Sequence, residues 1–186
     1  MEVARSLRTS GYRPSRSTDH RHDTWSDEDL YVGSPLHAQQ PAWPARPLPT
    51  VEGPVWSWAV SGVDRLAGIR AELRTRLDEI ADGPDAHSAA GERLLLAVEE
   101  LTSNALRHGE APVRTDVTAT DNGWLLAVTD QAGDRPPVQA VDRDPALGGL
   151  GLQLTAMLSS AHGWVTEDTC KHVWAFLPHQ PGDQLP

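Results

Sequence analysis

The chain has 186 residues, 39% hydrophobic and 23% charged, and a formal net charge of −10 from 16 basic against 26 acidic side chains. That balance argues against the basic footprint needed to displace phosphate counterions from a duplex, so no DNA partner is expected. The single cysteine, Cys170, rules out an internal disulfide and a cysteine-based zinc site, and no stretch approaches the roughly 18 apolar residues that span a bilayer.

A soluble, cytoplasmic protein without a membrane partner is the expectation. Residues 1–22 carry Arg5, Arg8, Arg13, Arg16 and Arg21 against Glu2 and Asp19, and residues 1–54 hold seven of the fifteen prolines. No apolar periodicity runs through this stretch, and proline at this density removes backbone donors, so residues 1–54 read as a disordered Arg/Pro-rich arm. An Arg- and Ser-rich transit peptide is the alternative, whereas a secretory signal lacks its apolar segment. His20 and His22 read as solvated side chains of a polar arm.

Order is expected from Val55. The aromatic alternation of Val55–Val60 suits a strand. Leu66, Ile69, Leu73, Leu77 and Ile80 then recur at helical spacing, with Asp64 as N-cap and Gly83-Pro84 closing the helix. A second helix is expected from about Ala86 to His108, with Gly109 just past its end. Strands Val113–Thr120 and Trp124–Thr129 flank Asp121-Asn122-Gly123, a hairpin signal. A Pro/Asp/Gly-rich loop covers Gln131–Gly149, and loops of that length are commonly lids or binding segments. A third helix runs from near Leu150 and stops by Gly163. Strands Trp164–Asp168 and His172–Leu177 close the domain, and residues 179–186 read as a flexible tail. The predicted fold is α+β: a two-layer sandwich of a mainly antiparallel sheet with three helices on one face. Trp56, Trp58, Trp124, Trp164 and Trp174 read as aromatics packed on strands.

The second helix carries the chemistry. Leu94, Val98, Leu101 and Ala105 form its buried stripe, and Glu100, Asn104 and His108, four apart, make a polar row beside it. Glu99 falls on the other side. Asp130 ends a strand at the mouth of the long loop, where a carboxylate can accept from an exocyclic amine. Gly148-Gly149-Leu150-Gly151 puts flexible backbone at a helix N-terminus, where free N–H groups attract phosphate. No Gly-x4-Gly-Lys-Ser/Thr loop or full dinucleotide fingerprint is present.

In this order, Glu100-Leu-Thr-Ser-Asn104-Ala-Leu-Arg-His108-Gly109, Asp130, Gly148-Gly-Leu-Gly151-Leu and Lys171-His-Val-Trp-Ala175 resemble the GHKL ATPase fold. Over Val55–Pro178 the chain looks most like the small bacterial anti-sigma-factor serine/threonine kinases and their single-domain relatives. The resemblance implies ATP and Mg²⁺ as cofactors. It makes Asn104 the Mg²⁺ ligand and Glu100 the group that orients or deprotonates the attacking hydroxyl. Asp130 would read the adenine amine. Gly148, Gly149, Leu150 and Gly151 would belong to the lid over the phosphates, with His108 supporting the helix end. The family commonly reads Asp-x-Gly-x-Gly after the adenine aspartate. Here Asp130-Gln-Ala-Gly133-Asp puts Gly133, a further nucleotide-contacting candidate, out of register, which implies lowered affinity.

Two functions follow. One is a regulatory kinase whose partners are an anti-sigma-factor antagonist and a sigma factor. The other is an ATP-dependent binding or sequestration module without significant transfer. Monomer and homodimer both stay open from the sequence.

Overall fold

Alternation sets the first strand. In a computed structural model that describes residues 43–80, 89–137 and 150–186, β1 (Val55–Val60) buries Trp56, Trp58 and Val60 and exposes the residues between them. A short 3-10 turn, Val63–Arg65, leads into helix α1 (Leu66–Ile80). Asp64 therefore lies within that turn and makes no side-chain cap; the turn closes through the Arg65 N–H to the Gly62 carbonyl at 3.1 Å. Ile69, Leu73 and Leu77 form the buried face of α1, while Ile80 is exposed at its end. Helix α2 (Ala89–His108) buries a broader face, as its central place between α1, α3 (Gly151–Leu158) and the sheet demands. Gly83, Pro84 and Ala86, expected to close one helix and open the next, lie outside the described residues.

Strands β2 (Val113–Thr120), β3 (Gly123–Asp130), β4 (Ala161–Glu167) and β5 (Cys170–Pro178) complete an antiparallel sheet in the order β1-β2-β3-β5-β4. Trp124, Leu126, Val128, Val173, Ala175 and Leu177 meet the helices, and Leu125, Ala127, Trp174 and Phe176 point to the opposite face. The expected α+β sandwich is the observed fold, and the four tryptophans at 56, 58, 124 and 174 are buried on strands, with Trp164 half-buried.

Three boundaries differ from expectation. The third helix stops at Leu158, before Gly163 as expected, but the next strand starts earlier than Trp164, because the Ser159 hydroxyl donates to the Ala156 carbonyl at 3.1 Å and the Ser160 N–H is captured by the Phe176 carbonyl at 3.0 Å. Side-chain oxygens of this kind compete with helical bonding, and β4 begins at once, at Ala161.

Residues 43–54, expected within a disordered arm, are held against the sheet. Arg46 N–H donates to the Trp164 carbonyl at 2.9 Å, and Trp164 N–H donates to the Pro44 carbonyl at 3.0 Å, a parallel bridge along the outer edge of β4. The Trp43 indole donates to the Gly163 carbonyl at 2.8 Å and is 3% exposed. Proline suits this position: it offers a carbonyl to the edge strand and no donor for a further strand. Leu48 and Val51 then cross the outer face over Leu125, Ala127, Trp174 and Phe176, and the Pro54 carbonyl accepts from the Ala119 N–H at 3.0 Å. The strap thus runs from the β4 edge to β1.

The expected flexible tail is likewise fastened. His179 N–H donates to the Asn122 carbonyl at 2.9 Å, the Asn122 carboxamide donates to the Gln184 carbonyl at 2.6 Å, and Leu185 packs on the outer-face cluster. Among the described residues no helix is long and apolar enough to cross a membrane.

Candidate nucleotide site

Helical spacing places the two central candidates. On α2, Glu100 and Asn104 are one turn apart beside the buried stripe of Leu94, Val98, Leu101 and Ala105; both are half-buried, and His108 is exposed at the helix end. Residues four apart on a helix are neighbours on one face. Glu99 faces α1 instead, its carboxylate 2.9 Å from the Arg70 guanidinium, as expected of a solvated neighbour outside the row. Among the described residues neither the Glu100 carboxylate nor the Asn104 carboxamide has a hydrogen-bond or ion-pair partner, which leaves both groups uncommitted.

Glu100 reaches across to the start of α3. Its carboxylate lies so close to Gly151 that a Cβ there would overlap Oε2 and come within 3.0 Å of Cδ. The glycine at this position is a matter of space: the acid and the helix start share it. Leu150 is 46% exposed just before α3, and its carbonyl accepts the Leu154 N–H at 2.8 Å. Gly148 and Gly149 lie outside the described residues.

Asp130 ends β3 and is 0% exposed. Its Oδ1 accepts the Ala132 N–H at 2.8 Å. Its Oδ2 lies 3.2 Å from the Lys171 ammonium but off the hydrogen-bonding direction, and has no hydrogen-bond partner. The register of β3 on β5 sets this pair, since Asp130 and Lys171 stand opposite one another on those strands. Asp130 is also tied to α2. The Gln131 N–H donates to the Glu110 carbonyl at 2.9 Å, and a Cβ on Gly109 would lie 2.5 Å from Oδ2. Gly109 ends α2 through its N–H to the Ala105 carbonyl at 2.8 Å, so the helix end depends on this backbone bond and not on His108.

Gly133 sits apart from this row. Its N–H donates to the Thr169 carbonyl at 3.2 Å and its carbonyl accepts the Thr166 hydroxyl at 2.7 Å, which docks it on the β4–β5 hairpin. Lys171 is the site residue to which sequence reasoning assigned no role. The available signal was its singularity: fifteen arginines and one lysine, which the pairing of β3 with β5 places opposite Asp130.

Glu100, Asn104, Gly109, Asp130 and the start of α3 therefore gather around the C-terminal half of α2. A family model described as the histidine kinase-like ATPase domain matches residues 63–177, from the turn before α1 to the last residues of β5. The chain belongs to the histidine kinase-like ATPase domain family. No curated protein matches the sequence.

Membership in the ATPase family implies nucleotide use, and the residues present fit an adenine nucleotide carried with Mg²⁺. Asp130 Oδ2 is a buried acceptor without a hydrogen bond, Gly109 lets the end of α2 approach that carboxylate more closely than any side chain would allow, and Asn104 offers a carboxamide oxygen. Among the described residues no three His, Cys, Asp or Glu side chains gather as a metal-binding group. Magnesium carried on phosphates keeps several waters and takes few ligands from the protein, so a single oxygen such as that of the Asn104 carboxamide is compatible with the ion.

Proposed function

We propose that this ATPase-family chain is a regulatory serine/threonine kinase of the anti-sigma-factor type, acting on a protein partner. What supports this reading is the placement of Glu100, uncommitted and lying against Gly151, one helical turn from Asn104. Asn104 would hold the magnesium, which when bound neutralises charge on the phosphate oxygens. Asp130 accepts from the adenine amine. Glu100 takes the proton of the partner's Ser or Thr hydroxyl as that oxygen bonds to the γ-phosphorus and the bond to the ADP oxygen breaks. A positioned base of this kind contributes about 10²–10⁴ in rate. The partner carrying the hydroxyl is an anti-sigma-factor antagonist.

The second reading is an ATP-dependent sequestration module without significant transfer. It is favoured by Gly133, which is docked on the β4–β5 hairpin and out of register with the family pattern. Incubating the chain with γ-labelled ATP and the proteins encoded beside it separates the two. A labelled partner in the wild type, lost in Glu100→Gln, supports the kinase. An unlabelled partner with ATP bound supports the module.

A further inference from the structure

Lys171 and Asp130 face the helix side of the sheet, in step with Val173 and Val128, beneath the C-terminal end of α2. They are 2% and 0% exposed. A buried ion pair recovers its desolvation cost only with good geometry and further hydrogen bonds, and an apolar pair of similar volume is often as stable. This pair lacks the geometry: 3.2 Å separates Nζ from Oδ2, yet no aligned hydrogen bond joins them. Oδ1 is taken by the Ala132 amide, so Oδ2 keeps acceptor capacity beside an ammonium that has three protons to donate. The other fifteen basic residues are all arginine. At this one buried position the chain uses the compact point charge in place of the planar fork.

We propose that Lys171 reads the nucleobase together with Asp130: the carboxylate accepts from the exocyclic amine of adenine while the Lys171 ammonium donates to the adjacent ring nitrogen N1. This rests on the nucleotide-binding reading above and adds a specificity-determining residue to it. An acceptor beside a donor complements the adenine edge, where a donor amine adjoins an acceptor nitrogen. On guanine the same two positions carry a carbonyl oxygen and an N–H, so both meet a group of the wrong polarity. A site built on buried hydrogen-bonding groups discriminates strongly against a ligand that leaves them unpaired.

The experiment is calorimetric titration of the full chain, in magnesium, with ATP, GTP and 1-deaza-ATP, in which N1 is replaced by C–H. A hydrogen bond to a charged group is worth enough that wild type should bind 1-deaza-ATP about tenfold or more weakly than ATP, with GTP weaker than ATP as well. In Lys171→Met the ratio of ATP to 1-deaza-ATP affinity should fall to about one, and in Lys171→Gln, which keeps a donor, it should stay above one. A purely structural ion pair would weaken both ligands together and leave the ratio unchanged in Lys171→Met, which would overturn the proposal. Equal binding of ATP and 1-deaza-ATP by wild type would overturn it while leaving nucleotide binding intact. No binding of any of the three would overturn the nucleotide reading with it. The wild-type comparison holds even if both variants fail to fold.

Discussion

The Glu100 carboxylate on α2 and the Cα of Gly151, first residue of α3, occupy adjoining space that no side chain larger than glycine can enter without moving the acid. The nearest obstacle is Oε2, the far end of a flexible side chain, with Cδ and Cβ at 3.0 and 3.1 Å behind it. Gly151→Ala is therefore expected to displace the carboxylate and not to unfold the protein. The helix-propensity gain of about 1 kcal/mol opposes a crowding cost of about 1–3 kcal/mol, so the urea midpoint should move little while phosphate transfer falls at least about tenfold. A large loss of stability with transfer per folded molecule preserved would refute the assigned relationship.

Glu100→Gln keeps the shape and removes the base. Transfer to the partner hydroxyl is expected to fall by about 10²–10⁴, with ATP affinity within about twofold of wild type. Full-speed transfer by this variant, measured by label incorporation, would leave Glu100 without a catalytic role.

Trp43 anchors the strap to β4 through its buried indole and its hydrogen bond to Gly163. Trp43→Ala should cost about 3 kcal/mol, near the lower end for removal of a large buried aromatic, and should be read from denaturant unfolding. An unchanged midpoint would show that the segment before β1 contributes nothing to the fold.

His162 lies under that strap, its ring centroid 4.6 Å from that of Trp43 and its Nδ1 3.1 Å from the Ser159 hydroxyl. Burial, and secondarily the Arg46 guanidinium, lower its pKa below the ordinary 6.5. The native ring resists protonation, whereas the unfolded chain takes up a proton below about pH 6.5, so this contribution to stability is present above that pH and is lost as the pH falls through the lowered native value. Thermal midpoints should drop from pH 7.5 to 5.5, and His162→Gln should show a shallower drop. Identical pH profiles for the two proteins would contradict the burial assigned to this ring.

Local pattern carried the elements whose causes are local. Ile69, Leu73 and Leu77 spaced along one helical face, and Asp121-Asn122-Gly123 between two alternating runs, place α1 and the β2–β3 hairpin directly. The strap was illegible because its bonds are backbone carbonyls of Pro44 and Arg46-to-Trp164 pairing across more than a hundred residues of chain, which leave no periodicity at residues 43–54. The early start of β4, at Ala161 and not Trp164, is illegible for a related reason: a strand carbonyl at Phe176 captures the Ser160 amide. In the site, Glu100 and Asn104 were legible from four-residue spacing. Lys171 was not, because its partner, 41 residues earlier in the sequence, is decided by the register of β3 on β5.

Asn104 is expected to contribute the metal-dependent part of nucleotide binding. Calorimetry of ATP on wild type and Asn104→Ala, each with and without magnesium, tests it most directly. Magnesium is expected to tighten ATP binding to wild type by about tenfold, a typical coupling between two ligands, while Asn104→Ala loses that gain and matches wild type without the metal. One affinity shared by all four conditions would contradict the claim.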